Sequence, residues 1–327
     1  MGDVLGAGVY VLIGEVAAKS GGAVWVPLTV ALLLALLTAA SYAELATKYP
    51  RAGGASYYAT RAYGPVVGFF TGFCMLAAGL VSVAALARGF AGEYLTALVS
   101  LPVETGGLLL VVGLGVWIVA RGDGDVGRLT QLGTDSASPA AAVLAGAVLA
   151  YYSFVGFETS VNVPRRRWIR HAPTPAPLFG ALATAGIVYA AVGAAASAAL
   201  PTATLAASDG PLLEVVRAAG AVPPRLFAFI ALVAVANGAL LTGIMSSRLA
   251  FGMAREGLLP MFLTRVLPVR RTPWAAIAAT TVVSALLAAS RRDRRALAVV
   301  FAMVWPTTLV LAAVVLRGWC RLHPGVQ

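Results

Sequence analysis

Long uninterrupted apolar runs constrain this chain more than any other feature. They lie at residues 24–45, 66–86, 106–120, 140–157, 178–200, 226–246, 274–289 and 296–316, and residues 4–17 form a shorter one. A helix needs roughly 20 mainly apolar residues to cross the hydrocarbon core of a bilayer. In lipid every backbone N–H and C=O must be satisfied internally, which helices do and irregular chain does not. Runs of this length and number predict an all-α integral membrane protein with about eight or nine membrane segments. Of the 327 residues 60% are hydrophobic and 11% are charged, so no soluble core is large enough to take up the apolar surface. Residues 4–17 carry no basic segment before them and no cleavage site after them, and many more runs follow. They read as an opening half-span, not a signal peptide.

The polar residues sit between the runs. The net charge of +11 would suit nucleic acid in a soluble protein, but here the basic residues cluster at the ends of apolar runs. Lys48, Arg51 and Arg61 fall in one connection, the run RRRWIRH occupies Arg165 to His171, and five arginines lie between Arg248 and Arg271. In membrane proteins such clusters mark cytoplasmic loops. The arginines lie at the ends of apolar runs, so no nucleic-acid partner is expected. Cys74 and Cys320 form no disulfide framework, and His171 and His323 no metal cluster. No nucleophile–base spacing or phosphate loop is present, and GAGVYV lacks the third glycine of a dinucleotide turn. The sequence therefore argues against an enzyme and against a bound cofactor.

The opening MGDVLGAGVYVLIG is apolar enough for a bilayer, yet Gly2, Gly6, Gly8 and Gly14 weaken it as a helix. Each glycine costs about 1 kcal/mol relative to alanine in a helix interior. Two readings stand. The helix is unwound there, with bare N–H groups facing a ligand in a protein-lined cavity, or small residues let neighbouring helices approach closely.

The stretch SYAELATKYPRAGGASYYATRAYGPVVGFFTGF, Ser41 to Phe73, is the most specific text in the chain. Its Tyr42, Glu44 and Leu45, then Tyr49 to Gly54, then Tyr58 and Gly64, resemble the Y-x-E-L, Y-P-R-A-G-G and Y-x-x-x-x-x-G of the amino acid–polyamine–organocation permeases. Gly6-Ala7-Gly8-Val9-Tyr10 is similar to the G-x-G-[IV]-[FY] of their first helix. Phe154-Val155-Gly156-Phe157-Glu158 resembles the F-x-G-F-E of their sixth. Ser247-Arg248, Met253-Ala254-Arg255 and Gly257 to Pro260 are similar to the text that closes their eighth. The motifs come in family order over residues 2 to 290.

The resemblance implies the LeuT-type fold, two inverted five-helix repeats with broken first and sixth helices. As one permease domain over residues 1–327, the chain would hold the first repeat in 1–120 and the second in 139–316. It implies secondary transport of amino acids, or related organic cations such as polyamines, by alternating access in the cell membrane. Half-helix N-termini suit a substrate carboxylate and half-helix C-termini an ammonium. Gly6, Ala7 and Gly8 would then hold the carboxylate, and the carbonyls around Phe154, Val155 and Gly156 the amino group. Phe157 or Tyr10 would cap the pocket. Glu158 stands at the second break, as a functional acid or as a structural partner of the unwound backbone. Thr242, Ser246 and Ser247 lie where sodium-coupled relatives supply hydroxyl ligands, or are bonded back to their own helix. Some relatives place a lysine on the fifth helix. Here that helix, residues 103–120, has none and offers Glu104 at its edge, so the coupling ion stays open between a proton and sodium.

The departures from the family text carry expectations too. By comparison the chain starts close to the first break, so half of the first helix is expected to be missing, and residues 88–102 are too short and polar for the fourth. The eleventh and twelfth helices are not found. Where the family has an acidic stretch after F-x-G-F-E, this chain has NVPRRRWIRHAPTPAPLF. A one-base shift of a GC-rich coding sequence restores acidic text there, which predicts two compensating frameshifts in the gene. The alternative function on these grounds is a non-transporting, truncated remnant of such a permease.

Overall fold

The computed structural model describes residues 8–49, 54–89, 104–133, 138–154, 176–208, 210–267 and 272–289. Among these residues the regular structure is entirely helical. In chain order it consists of α1 (Gly8–Ser20), α2 (Trp25–Lys48), α3 (Gly54–Tyr63), α4 (Pro65–Gly89), α5 (Glu104–Ala120), α6 (Pro139–Tyr151), α7 (Ala176–Ala199), α8 (Thr202–Ala207), α9 (Pro211–Ala219), α10 (Pro224–Arg255) and α11 (Trp274–Ala289). Short 3₁₀ turns cover Val126–Thr130, Tyr152–Phe154 and Met261–Thr264.

The helices follow the apolar runs. Trp25–Ala46, Pro65–Ala87, Leu178–Ala199 and Pro224–Arg255 are long and apolar enough to cross a membrane, and Gly107–Ala120, Pro139–Phe154 and Trp274–Ala289 are shorter apolar helices. The run at 296–316 lies outside the described residues. In each long helix only 39% of the most apolar window is buried. Large side chains such as Leu37 (69% exposed), Val66 (80%), Ile187 (69%) and Leu286 (67%) point outward. That much outward apolar surface is unsuited to water and suited to acyl chains. The chain is a multi-pass membrane protein.

Two compact units emerge. The first comprises Met1–Leu36, Leu86–Val155 and Phe179–Ala239, and the second Leu37–Ala85, Gly156–Leu178 and Leu240–Gln327. In the first, α1 buries most of its residues, with Val9, Tyr10, Ile13 and Val16 each 1% exposed and Ala17 at 0%, while Glu15, Ala18 and Lys19 are exposed. It packs against α6, the turn Tyr152–Phe154, α8 and α9. The helix runs unbroken through Gly14, where the residues alone suggest weakness. A side chain at Gly14 would collide with the Leu205 carbonyl. Close packing therefore explains Gly14, whose cost in propensity is offset by the tertiary contact. Helix α9 is amphipathic. It buries Leu212, Leu213, Val215 and Val216 while Glu214 and Arg217 pair at its surface.

Residues 121–133 form a polar strap over the α1–α2 turn. Gly21, at φ +79°, closes α1 in the left-handed region, and its N–H donates to the Ala17 carbonyl (3.0 Å). From there Ala23 N–H donates to the Gln131 carbonyl (2.9 Å), Gly133 N–H to Ser20 (3.0 Å) and the Trp25 indole to Leu129 (3.0 Å). The buried Ser197 hydroxyl donates to the Gly22 carbonyl at 2.5 Å, and Asp125 N–H donates to Ala198 at 2.9 Å, so the end of α7 joins the same assembly. Asp125 also caps the turn Val126–Thr130 through Gly127 N–H (2.8 Å).

The second unit is knitted by side chains. Gly64, at φ +91°, makes the corner between α3 and α4, and Pro65 opens α4 where a missing N–H is harmless. The loop text thus folds partly as a helix. Tyr42, Tyr49, Tyr57 and Tyr58 pack ring to ring at 6.3–6.4 Å. Tyr42 OH reaches Met75 Sδ (3.3 Å), Ser56 donates to the Gly68 carbonyl (2.9 Å), and Ser284 on α11 donates to Leu80 on α4 (3.1 Å). Arg61 lies over the Tyr57 ring (5.6 Å) and donates to its hydroxyl (3.2 Å), a bond that raises the guanidinium pKa. Burial pushes the Tyr58 phenol up to about 12.

Candidate functional site

Helix α1 and the end of α6 meet in the first unit. Helix α1 is described from Gly8 onward, with Val9 and Tyr10 buried inside the first unit. Helix α6 starts at Ser138, whose hydroxyl accepts from Ala141 N–H with Pro139 next in line. It tightens at its far end into the 3₁₀ turn Tyr152–Phe154. The Tyr152 N–H is shared between the Ala150 and Leu149 carbonyls, so the ladder is already leaving α geometry before the motif FVGFE is complete.

Gly8 and the turn Tyr152–Phe154 touch backbone to backbone. A Cβ on Gly8 would come 2.8 Å from Ser153 Cα, 3.1 Å from its Oγ and 3.2 Å from its Cβ. Only glycine allows that approach. Ser153 is 5% exposed and Phe154 0%. The Phe154 ring stands edge-on to Tyr189 on α7, with centroids 5.2 Å apart. Tyr10 is 1% exposed, its ring 6.0 Å from that of Phe227 on α10. In this conformation Tyr10 is packed inside the unit.

The other predicted positions divide into two groups. Gly6, Ala7, Val155, Gly156, Phe157 and Glu158 lie outside the described residues, as does the basic run at 165–171 with its proposed change of frame and residues 90–103 around the expected fourth helix. Glu104 is the first residue of α5. Thr242, Ser246 and Ser247 are on α10, in the second unit. There Ser246 donates to the Thr242 carbonyl (2.9 Å) and Ser247 to the Ile244 carbonyl (3.0 Å). Both hydroxyl protons are thus used within their own helix, the arrangement common for serines in membrane helices. Among the described residues no three His, Cys, Asp or Glu gather as they would around a metal ion.

Sequence reasoning passed over Ser153, Phe227, Tyr189 and Gly107. Ser153 directly precedes the FVGFE text, and Gly107 belongs to a glycine pair opening an apolar helix. These are weak signals without the partner segments beside them.

Two family models described as amino acid permease match the chain, one over residues 104–325 and the other over residues 1–121. An uncharacterized transporter of Mycobacterium tuberculosis is 30% identical, over 91% of this chain and 73% of its own length. The chloroplastic cationic amino acid transporter 9 of Arabidopsis thaliana is 25% identical, over 82% of this chain and 55% of its own. The branched-chain amino acid permease BcaP of Bacillus subtilis is 23% identical, over 88% and 71% respectively.

Proposed function

The chain belongs to the amino acid permease family, and from that premise we propose that it carries an amino acid, or a related organic cation such as a polyamine, across a membrane by alternating access. The observation that carries this reading is the meeting of Gly8, at the start of α1, with Ser153 in the turn that ends α6. The α-carboxylate is taken by backbone N–H groups at residues 6–8, because free N–H groups suit an anion. The ammonium is taken by the carbonyls at residues 154–156, next to the turn Tyr152–Phe154. Both charges are thereby stabilised in a low-dielectric site without a protein counter-ion, as in transporters built from broken helices. The LeuT-type pair of inverted repeats, with the remaining membrane segments, is the fold this mechanism requires. A proton or a sodium ion drives it, and the cell membrane is its place.

The names of the relatives direct the first assay, because one is called a cationic and another a branched-chain transporter. The purified chain in liposomes takes up radiolabelled arginine or leucine, stimulated by an inward gradient of protons or sodium. Gly8→Leu abolishes uptake, since its side chain would enter the space held by Ser153. Uptake by that variant equal to the unaltered chain would exclude the site assignment. Insertion into the membrane with no uptake of any labelled amino acid would favour the non-transporting alternative.

A further inference from the structure

Gly107 stands on the first turn of α5, in an apolar helix where alanine would be the better helix former by about 1 kcal/mol. The space beside it is taken. A Cβ there would lie 2.5 Å from Ile230 Cγ2 on α10 and 2.6 Å from the Tyr10 hydroxyl oxygen on α1. Both distances are shorter than real Cβ contacts, so a side chain at this position would have to move one neighbour or the other. The two neighbours differ in how they can respond. Ile230 is 9% exposed and can shift a methyl group. Tyr10 is 1% exposed, and the centroid of its rigid ring lies 6.0 Å from that of Phe227. A push on its hydroxyl is carried along the ring to its Cα. That Cα lies two residues from Gly8, on the same turn of α1 whose backbone rests on Ser153.

We propose that Gly107 is a positioning residue for transport. By carrying no side chain it provides the seat for the Tyr10 hydroxyl, and that seat sets the first turn of α1 against the turn that ends α6. The inference rests on the transport reading and extends it to a helix that contributes no group to the substrate itself. The chemistry concerned is recognition of an amino acid's carboxylate and ammonium, which depends on the spacing of the two helix ends. A misplacement of 1 Å at a reacting or binding centre can cost about a hundredfold, so even part of that shift is measurable.

The test compares Gly107→Ala, Tyr10→Phe, Ile230→Ala and the doubles Gly107→Ala/Tyr10→Phe and Gly107→Ala/Ile230→Ala. The readouts are uptake of radiolabelled leucine and arginine into liposomes and the melting temperature of the full-length purified chain. Gly107→Ala should raise KM about tenfold with Vmax largely retained, because the displaced turn weakens binding. Tyr10→Phe removes the atom that the new methyl group would strike. The Gly107→Ala/Tyr10→Phe double should therefore match Tyr10→Phe alone within about twofold. Rescue by Ile230→Ala in place of Tyr10→Phe would overturn the inference and leave ordinary packing of α5 on α10. Uptake by Gly107→Ala with unaltered KM would overturn it too. If Gly107→Ala yields no folded protein, recovery of folded protein in the double with Tyr10→Phe supports the seat, and continued failure overturns it. If the unaltered chain takes up neither probe, the transport reading for these substrates fails on its own. Coupling between Gly107→Ala and Tyr10→Phe in melting temperature then still supports the seat, and its absence removes it.

Discussion

Gly14 in α1 and Gly79 in α4 are both glycines inside apolar helices, and sequence alone gives them the same meaning. Their surroundings differ in kind. A Cβ on Gly14 would run into the backbone carbonyl of Leu205, and one on Gly22 just after α1 into that of Arg128. A Cβ on Gly79 would meet the Ser246 hydroxyl, and one on Gly72 the end of the Met253 side chain together with the Ser56 hydroxyl. Backbone cannot rotate away, whereas a hydroxyl or a thioether can. The first unit therefore holds α1 by main-chain contact, with little tolerance. The packing around α4 leaves freedom in its rotamers.

The contrast can be broken most sharply at Gly14. On an exposed helix Gly→Ala stabilises by about 1 kcal/mol. Here Gly14→Ala should instead destabilise by about 2 kcal/mol or more, as overpacking does, and Gly22→Ala should behave alike. Thermal melting of the purified chain measures both, and a rise in melting temperature for Gly14→Ala would refute the backbone contact. Next in size is Ser197→Ala, which strips the Gly22 carbonyl of its buried donor (2.5 Å). The expected loss is about 1–2 kcal/mol by the same measurement.

Gly79→Ala should cost less, about 1 kcal/mol, because Ser246 can yield its bond to the Thr242 carbonyl to make room. The loss should shrink in the double with Ser246→Ala. A cost equal to that of Gly14→Ala would erase the distinction between the two helices. The smallest effect is a pH dependence in the side-chain-packed region. Tyr58 has its phenol raised from 10.0 to about 12 by burial, so the folded state keeps a proton that the unfolded state releases. Stability from this group is complete below pH 10, falls as pH rises through about 12, and is flat beyond. Tyr58→Phe should lose less melting temperature than the unaltered chain over that interval.

Much of this was legible in the residues. Apolar runs located α2, α4, α5, α6, α7, α10 and α11 to within a few residues, save that α10 continues to Arg255, about half as long again as its run. Its extension includes the Ser247 to Arg255 text, whose Met253 and Ala254 are buried, so amphipathic helix continues where the uniformly apolar stretch stops. The pairing of Gly8 with the FVGFE region was legible only through family text, and the structure brings Gly8 to Ser153, one residue before that motif. For Ser246 and Ser247 the residues left two possibilities, a cation or the helix's own carbonyls. The bonds to Thr242 and Ile244 are of the second kind. Gly107 carried no readable meaning, since its neighbours Tyr10 and Ile230 are each about a hundred residues away.

By itself the sequence determined that the chain is a membrane protein of helices and that it belongs with the amino acid permeases. Both follow from local text: transfer free energy adds along a run of residues, and motifs are read in order. The tertiary structure decided what each glycine is for. Gly8 meets Ser153, Gly14 meets Leu205 and Gly107 meets Tyr10, pairs separated by long stretches of chain. A missing side chain has no meaning until something occupies its place, and what occupies it is fixed by close packing between distant segments. The meeting of α1 with the end of α6 is such a fact, and the proposed site depends on it.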